Sequence, residues 1–210
     1  MSTTPKKTST PIHAVTVFAG AREATVPGMN TLARDFGVAL ARRGITLVYG
    51  GSRLGLMGAV AQGAIEAGGA TVGIIPEHLA AHEIAHTGLT ELVFVDTLAQ
   101  RKALMGQRCD AFVALPGGTG TLDELFDEWT NQQLGLHTKP IGLLGAEFWQ
   151  PLIQMVDHMV SHGFVRREDR DSLVVADDPD ELLDLLAQWR PQRPRWTPPA
   201  HKTLRSTRCE

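Results

Sequence analysis

Short apolar runs alternate with amphipathic segments along most of this chain, and that alternation constrains the fold more than any other feature. The apolar runs are mostly rich in leucine or β-branched residues, as in strands covered on both faces, and they lie at 14–20, 45–50, 70–76, 92–96, 111–117, 140–145 and 172–177. Helical periodicity fills the intervals at 30–43, 57–67, 98–108, 122–134, 147–162 and 179–189. The alternation therefore predicts an α/β fold, a doubly wound parallel sheet flanked by helices. Ligands of such sheets bind beyond the carboxyl ends of the strands.

The 210 residues are enough for one domain with a sizeable core. We predict this domain at 13–189, after a flexible segment at 1–12 and before a Pro- and Arg-rich tail at 190–210 that we expect to be mostly disordered. The first residues contain no apolar segment, so we expect no secretory signal. Two cysteines, Cys109 and Cys209, fit a reducing cytoplasm.

Charge and hydropathy exclude two classes of partner. A net charge of −3 gives no electrostatic reason to expect nucleic acid. No apolar run approaches the ~20 residues that cross a bilayer, so we expect no membrane association.

Two glycine-rich loops follow predicted strands and lead into predicted helices. The first contains Gly50, Gly51, Gly55 and Gly58, and the second is Pro-Gly-Gly-Thr-Gly-Thr at 116–121. Glycine lets the backbone approach a bound anion, and the free N–H groups at the start of a helix favour phosphate. Two such loops at one sheet edge favour a ligand over two tight turns.

The same loops lack the signatures of two larger ligand classes. Neither has the P-loop lysine of triphosphate sites, and neither is a G-x-G-x-x-G opening the first βα unit of a dinucleotide fold. Glu77 lies about twenty residues beyond the first loop, as a ribose-binding acid would, but this spacing alone is weak support. We therefore expect a nucleoside monophosphate or a sugar phosphate.

Charged residues stand near the second loop in an unusual arrangement. In the following helix, Asp123 and Glu124 lie off the apolar stripe, where a carboxylate would repel a phosphate unless it faced another part of the ligand. A sugar that becomes cationic during glycoside cleavage is such a part. Arg101 and Lys102 begin another helix at the same edge, where cations are disfavoured unless an anion binds nearby.

A zinc-protease pattern, His82-Glu83-Ile84-Ala85-His86, also occurs. It needs a helix that carries both histidines on one face, and a third ligand. The segment has room for a short helix only, and Leu89 and Leu92 occupy the positions of the glycine and third histidine of metzincins. We interpret the pattern as a coincidence and expect no metal.

The stretch 116–124 matches the P-G-G-x-G-T-x-x-E signature of the Lonely guy (LOG) family, the cytokinin riboside 5′-monophosphate phosphoribohydrolases. The segments around "VYGGSRLGLMGAVA", "HEIAHTGLTEL", "QRKALM" and "QLGLHTKPIGLL" resemble the same family in the same order, from about residue 13 to 189. The resemblance implies a Rossmann-like fold, a dimer with the site near the subunit interface, and no metal or organic cofactor.

The implied reaction is hydrolysis of the N-glycosidic bond of an N6-modified adenosine monophosphate, and of AMP in many relatives, to free base and ribose 5-phosphate. By position, the catalytic pair falls on Arg101 and Glu124. The implied substrate contacts are Glu83, Arg101, Lys102, Gly117, Gly118, Thr119, Gly120, Thr121, Leu122, Asp123, Glu124 and Thr130. Arginine remains protonated in proteins, so we expect Arg101 to supply fixed positive charge and Glu124 to stabilise the sugar cation or activate water.

The chain departs from the family pattern in two loops. Ala19-Gly20-Ala21 stands where C-G-S is frequent, which removes a hydroxyl, and Ser52 replaces a glycine common in the next loop. The altered first loop favours an alternative hypothesis, a nucleotide-binding sensor of the same fold without turnover. A third hypothesis, a nicotinamide-dependent enzyme, is disfavoured by the missing fingerprint. Some family members carry the label lysine decarboxylase, but no pyridoxal phosphate site is identifiable in the sequence.

Overall fold

A computed structural model of the protein describes residues 11–83 and 85–194, except for the side chains of residues 81–83. The seven expected strands form within the predicted segments, apart from a one-residue difference at the start of the fourth. They are β1 (Ala14–Phe18), β2 (Thr46–Tyr49), β3 (Thr71–Pro76), β4 (Glu91–Val95), β5 (Ala111–Ala114), β6 (Ile141–Leu144) and β7 (Leu173–Ala176). They make one sheet in the order β4-β3-β2-β1-β5-β6-β7, and every neighbouring pair is parallel. The doubly wound α/β prediction is confirmed.

The helices are α1 (Met29–Arg42), α2 (Gly55–Glu66), α3 (Glu77–Glu83), α4 (Leu98–Gln107), α5 (Thr119–Gln133), α6 (Ala146–Ser161), α7 (Arg167–Asp171) and α8 (Pro179–Gln188). Two short helices, α3 and α7, were not predicted, because they are too short to show a helical period. Helix α5 begins three residues earlier than predicted, since the sequence period starts only at the first apolar residue, Leu122.

Two apolar cores cover the two faces of the sheet. Helices α1, α2 and α8 bury residues such as Phe36, Val60 and Leu182 on one face. Helices α4, α5 and α6 cover the other with residues that include Met105 and Trp149. The sheet is therefore buried on both sides, which explains why its strands lack polar alternation.

The winding direction reverses between β1 and β5. The chain moves from β1 outward to β4, then crosses back and continues from β5 to β7 on the other side of β1. Backbone hydrogen bonds extend the pairing of β1 with β5 past the strand ends. Leu115 N donates to Phe18 O at 2.9 Å, and Gly20 N donates to Pro116 O at 3.1 Å. The loops after β1 and β5 therefore diverge from one point, where doubly wound sheets open a crevice for ligands.

Beyond α8 the chain stays in contact with the domain. Arg193 O accepts a hydrogen bond from Arg166 Nη2 at 3.2 Å, and Pro194 lies directly over Gly135. Most of the predicted N-terminal segment, 1–12, and most of the predicted tail, 190–210, lie outside the described residues, so both remain predictions. Among the helices that the structure describes, none has the length and apolar content needed to cross a membrane.

Candidate active site

A cavity of about 540 Å³ opens at the carboxyl ends of β1 and β5, which is within the usual size of small-molecule sites. One wall is the loop from Ala19 to Val26, and the opposite wall is the loop and first turn of α5 from Pro116 to Thr121, together with Glu124. The remaining described lining comes from Met29, Leu56, Met57, Arg101 and Phe148. Seven of the predicted site residues thus share one cavity: Arg101, Gly117, Gly118, Thr119, Gly120, Thr121 and Glu124.

The start of α5 forms a positive pole of this cavity. Gly118 is its N-cap residue and has no side chain to cap the first turn. The N–H groups of Thr119, Gly120 and Thr121 have no intrahelical acceptor, and they carry the positive end of the helix dipole. A side chain at Gly117 would place its Cβ 2.1 Å from Thr121 Oγ1, so glycine there leaves the turn compact. This is the geometry that binds phosphate groups at helix N-termini.

Glu124 lies one turn behind that pole, on the same face of α5 as Gly120. Helical side chains lean toward the N-terminus of their helix, so the carboxylate is directed back to the region where a phosphate would bind. Its Oε1 lies 3.7 Å from Arg101 Nη2, and the two side chains are only 13% and 9% exposed. An anion site and a nearly buried ion pair therefore adjoin within one cavity.

Arg101 is placed by the way α4 begins and packs. Thr97 Oγ1 accepts a hydrogen bond from Gln100 N, and Gln100 Oε1 accepts one from Thr97 N, which makes a capping box just before Arg101. One turn later, Met105 O accepts from the buried Thr16 hydroxyl of β1 at 2.8 Å, which holds the helix on the sheet. The guanidinium is thus held from a capped helix start, although its buried Nε has no hydrogen-bond partner among the described residues.

Lys102 does not line the cavity as the structure describes it. Its Nζ lies 3.0 Å from Asp127 Oδ2 and 3.2 Å from Asp123 Oδ2, so it ties α4 to α5. Burial, the largest single influence, lowers the pKa of Lys102, but the hydrogen bonds and charges of Asp127 and Asp123 outweigh it and raise the pKa. The ion pairs between α4 and α5 give Lys102 a structural role, and its contact with the substrate stays a prediction.

Three other carried-over contacts face away from the cavity. Leu122, Asp123 and Thr130 line a shallow groove on the outer side of α5, together with Thr119. At 1.5 Å per residue, Thr130 lies about 16 Å along the helix from Thr119. Thr130 thus lies far from the phosphate end of the site, and its substrate contact stays a prediction.

The first glycine loop lies behind the cavity rather than in its described lining. The α2 amides of Leu56 and Met57, which a phosphate would need, both point to Gly20 O, at 2.9 and 3.4 Å. The four glycines allow close packing: Gly50 against the Arg101 guanidinium, Gly51 against Ile75, Gly55 against the Ala21–Arg22 backbone and Gly58 against Arg53. Packing explains these glycines, and the additional phosphate loop stays a prediction without support from these contacts.

Sequence reasoning missed the side chains of the first wall. Arg22 lines the cavity from the loop after β1, and Met29 and Phe148 contribute apolar surface. That loop was considered only for the hydroxyl it lacks. The signal that could have found Arg22 is its position directly after the first strand, since that loop adjoins the switch point of a doubly wound sheet.

Helix α3 ends at Glu83, so His86 lies outside it, and the helical face that a zinc site would require does not form. His86 N instead donates to Gly51 O at 2.9 Å. The side chain of Glu83 lies outside the described residues, so its predicted substrate contact is untested. In the described part of the chain, no three side chains of His, Cys, Asp or Glu are grouped to hold a metal ion.

The sheet order and the cavity at its switch point define a Rossmann-like α/β protein. A protein family described as "Possible lysine decarboxylase" matches residues 57–186. The chain is 47% identical over 170 residues to a cytokinin riboside 5′-monophosphate phosphoribohydrolase of Rhodococcoides fascians, covering 78% of this chain and 84% of that one. The chain is 39% identical to the enzyme of that name from Arabidopsis thaliana, covering 89% of this chain and 88% of that one. It is 44% identical to that of Mycobacterium tuberculosis, covering 74% of this chain and 84% of that one.

The chain therefore belongs to the Lonely guy (LOG) family of cytokinin riboside 5′-monophosphate phosphoribohydrolases. Solved structures with a similar fold include the molybdenum cofactor carrier protein of Chlamydomonas reinhardtii, with a TM-score of 0.64, 23% identity and coverage of 83% of this chain and 96% of that one. A molybdenum cofactor binding protein of Rippkaea orientalis has a TM-score of 0.63 and 23% identity, and the match covers 84% of this chain and 96% of that one. At this identity the likeness concerns the fold alone.

Proposed function

We propose that this protein hydrolyses the N-glycosidic bond of cytokinin riboside 5′-monophosphates, and of AMP, to free base and ribose 5-phosphate. The observation that carries the proposal is the nearly buried Glu124 carboxylate, one helical turn from a row of free amides and paired with Arg101. The named relatives are phosphoribohydrolases of this kind. No cofactor is needed for the reaction.

The substrate fits the cavity in one direction. Its phosphate binds the amides at Gly118–Thr121 and the Thr119 and Thr121 hydroxyls, because the α5 dipole is positive there. The ribose then lies against Glu124. The base extends toward the apolar lining at Met29, Leu56, Met57 and Phe148, which suits a purine with an apolar N6 substituent.

Cleavage breaks the bond between C1′ and the base nitrogen and leaves positive charge on the ribose. The Glu124 carboxylate stabilises that charge, and it accepts a proton from the water that adds to C1′. Overall, one water supplies the hydroxyl of ribose 5-phosphate and the proton of the free base. Arg101 stays protonated; it holds the carboxylate in place and supplies fixed positive charge beside the departing base or the phosphate.

Two other hypotheses find less support. A sensor without turnover is not favoured, because the relatives are named as enzymes. A decarboxylase that uses pyridoxal phosphate needs a lysine for the Schiff base, and the cavity lining that the structure describes contains no lysine.

The test compares wild-type protein with Glu124→Gln on AMP and isopentenyladenosine monophosphate, with chromatographic detection of free base. We expect base and ribose 5-phosphate from the wild type, and a kcat at least about 100-fold lower for the variant, as for loss of an electrostatic stabiliser. Glu147→Gln, an exposed acid of α6 outside the described cavity lining, is the matched control. A wild type that binds AMP but releases no base would instead support the sensor hypothesis.

We also propose a homodimer formed through the outer face of α5. Leu122, Asp123 and Thr130 line that face and are not among the described lining of their own chain's cavity. A second copy packed against the face would bring them near the partner's ligand. Sedimentation should give twice the 22.8 kDa chain mass. A monomer at micromolar concentration would refute the proposal.

Action in the cytoplasm is likewise proposed, from cysteine usage. Cys109 is buried, and that burial raises the pKa of its thiol, which keeps the sulfur unreactive without a disulfide. Nucleic acid is not proposed as a partner because the chain has a net charge of −3.

A further inference from the structure

We propose that Gly50 is a positioning residue for Arg101: its missing side chain makes the space that the guanidinium occupies. The inference rests on the proposed function only for its catalytic consequence. It also gives the first glycine loop a role other than phosphate binding.

Gly50, at the carboxyl end of β2, lies directly against the guanidinium of Arg101 on α4. Gly50 is buried directly after β2, and an ideal Cβ on it would lie 1.9 Å from Arg101 Nη2 and 2.9 Å from Cζ. The Met57 sulfur would be the next nearest atom, at 3.1 Å. Real Cβ atoms do not approach other heavy atoms this closely, so the guanidinium would have to move.

Backbone conformation does not explain why position 50 is glycine. Gly51 and Gly55 have φ of 79° and 56°, in the left-handed region that favours glycine, whereas Gly50 is outside that region. The backbone at 50 would therefore accept alanine. What a methyl group would displace there is chiefly the guanidinium.

The guanidinium is sensitive to such a displacement because few polar contacts hold it. Its ion pair with Glu124 is long, at 3.7 Å, and within the described part of the chain the buried Nε has no hydrogen-bond partner. The packing surface at Gly50 therefore sets where the charge lies. A methyl group there would push Nη2 away from its present place beside Glu124.

The Gly50→Ala substitution should lower activity more than it lowers stability. Arg101 Nη2 is the far end of a flexible side chain beside an open cavity, so it can shift without moving the backbone. Gly63 on α2 is the opposite case, since its Cβ would lie 2.1 Å from the backbone carbonyl oxygen of Arg34. Helices α1 and α2 would have to separate there.

The experiment pairs Gly50→Ala with Gly63→Ala. We expect Gly50→Ala to melt within a few degrees of the wild type but to lose about 100-fold in kcat/KM on AMP, the typical cost of a catalytic group misplaced by an ångström. We expect Gly63→Ala to melt lower and to keep its kcat per folded molecule. Unchanged activity in Gly50→Ala would overturn the inference.

A double-mutant cycle separates positioning from damage to the fold. Glutamine is shorter than arginine, so Gly50→Ala should have no further effect on kcat/KM in an Arg101→Gln background. An equal loss in both backgrounds would contradict the inference. If the wild type releases no base, the proposed function fails, and crystal structures of the wild type and Gly50→Ala decide: a displaced guanidinium supports the inference, and an unmoved one overturns it.

Discussion

Arg22 and Arg101 both line the cavity, but their charges are placed differently. Arg101 faces the Glu124 carboxylate, so much of its charge is balanced within the site. Arg22 is exposed on the opposite wall, on a backbone that packs against Gly55. A phosphate dianion needs more positive charge than a helix dipole of about half a unit supplies, and Arg22 is suited to provide it.

Replacement of Arg22 should therefore discriminate between substrates with and without phosphate. We expect Arg22→Gln to lower kcat/KM on AMP by about 10- to 100-fold, the worth of one charged hydrogen bond, and to leave any turnover of adenosine, which has no phosphate, unchanged. Arg53→Gln, an exposed arginine outside the described lining, serves as the control. Equal losses on AMP and adenosine would mean that Arg22 does not bind the phosphate.

At the scale of elements, the short helix α7 fastens α5 to the end of the sheet. Asp169 is 3% exposed, and its carboxylate accepts bonds from Arg166 Nε at 2.8 Å and Nη2 at 2.5 Å. Its backbone carbonyl accepts from Trp129 Nε1 of α5 at 3.2 Å and from the Ser172 hydroxyl at 2.6 Å. The Asp169 backbone carbonyl thus makes the contact between α7 and the helix that carries Glu124, while the buried carboxylate holds Arg166 at the start of α7.

Removal of the arginine should leave a buried charge without its partner. We expect Arg166→Met to lower the free energy of unfolding by about 3 kcal/mol, the lower end for a broken buried pair, because the Arg166 side chain is 32% exposed. Urea denaturation measures this change. The neighbouring Arg167→Met, whose pair with Asp157 is exposed, should keep a midpoint close to the wild type, and equal losses in the two variants would contradict the assignment.

The start of α5 differs between the sequence prediction, residue 122, and the structure, Thr119. Thr119, Gly120 and Thr121 are weak helix formers, so periodicity alone placed the start at Leu122. In the structure α5 nevertheless begins at Thr119, because the burial of Leu125 and Trp129 stabilises the helix and lets it include these weak helix formers. As a consequence the amides of Thr119, Gly120 and Thr121 belong to the first helical turn, at the wall of the cavity.

At the scale of the whole molecule, ligand binding should stabilise the fold. Glu124→Gln is the suitable protein for this measurement, because it should bind AMP without consuming it. At 100 times the dissociation constant we expect about 2.7 kcal/mol of stabilisation, which for this size corresponds to a Tm rise of about 5–10 °C. Adenosine at the same concentration should give a smaller shift, and no shift with millimolar AMP would refute nucleotide binding.

The choice of Arg101 and Glu124 as the catalytic pair rests on the resemblance to the LOG family. The sequence by itself determined the seven strands, their alternation with helices, the loop at 116–121 and the charged residues around it. These features are local, since period, glycine content and charge are set by neighbouring residues in the chain. Only the tertiary structure decided that β1 lies between β2 and β5, which makes the loop of Arg22 a cavity wall and leaves the first glycine loop behind it. The same holds for the Lys102 tie and for the fit of Gly50 to Arg101, because strand order and helix crossing bring together residues more than twenty positions apart in the chain, and no local pattern records such contacts.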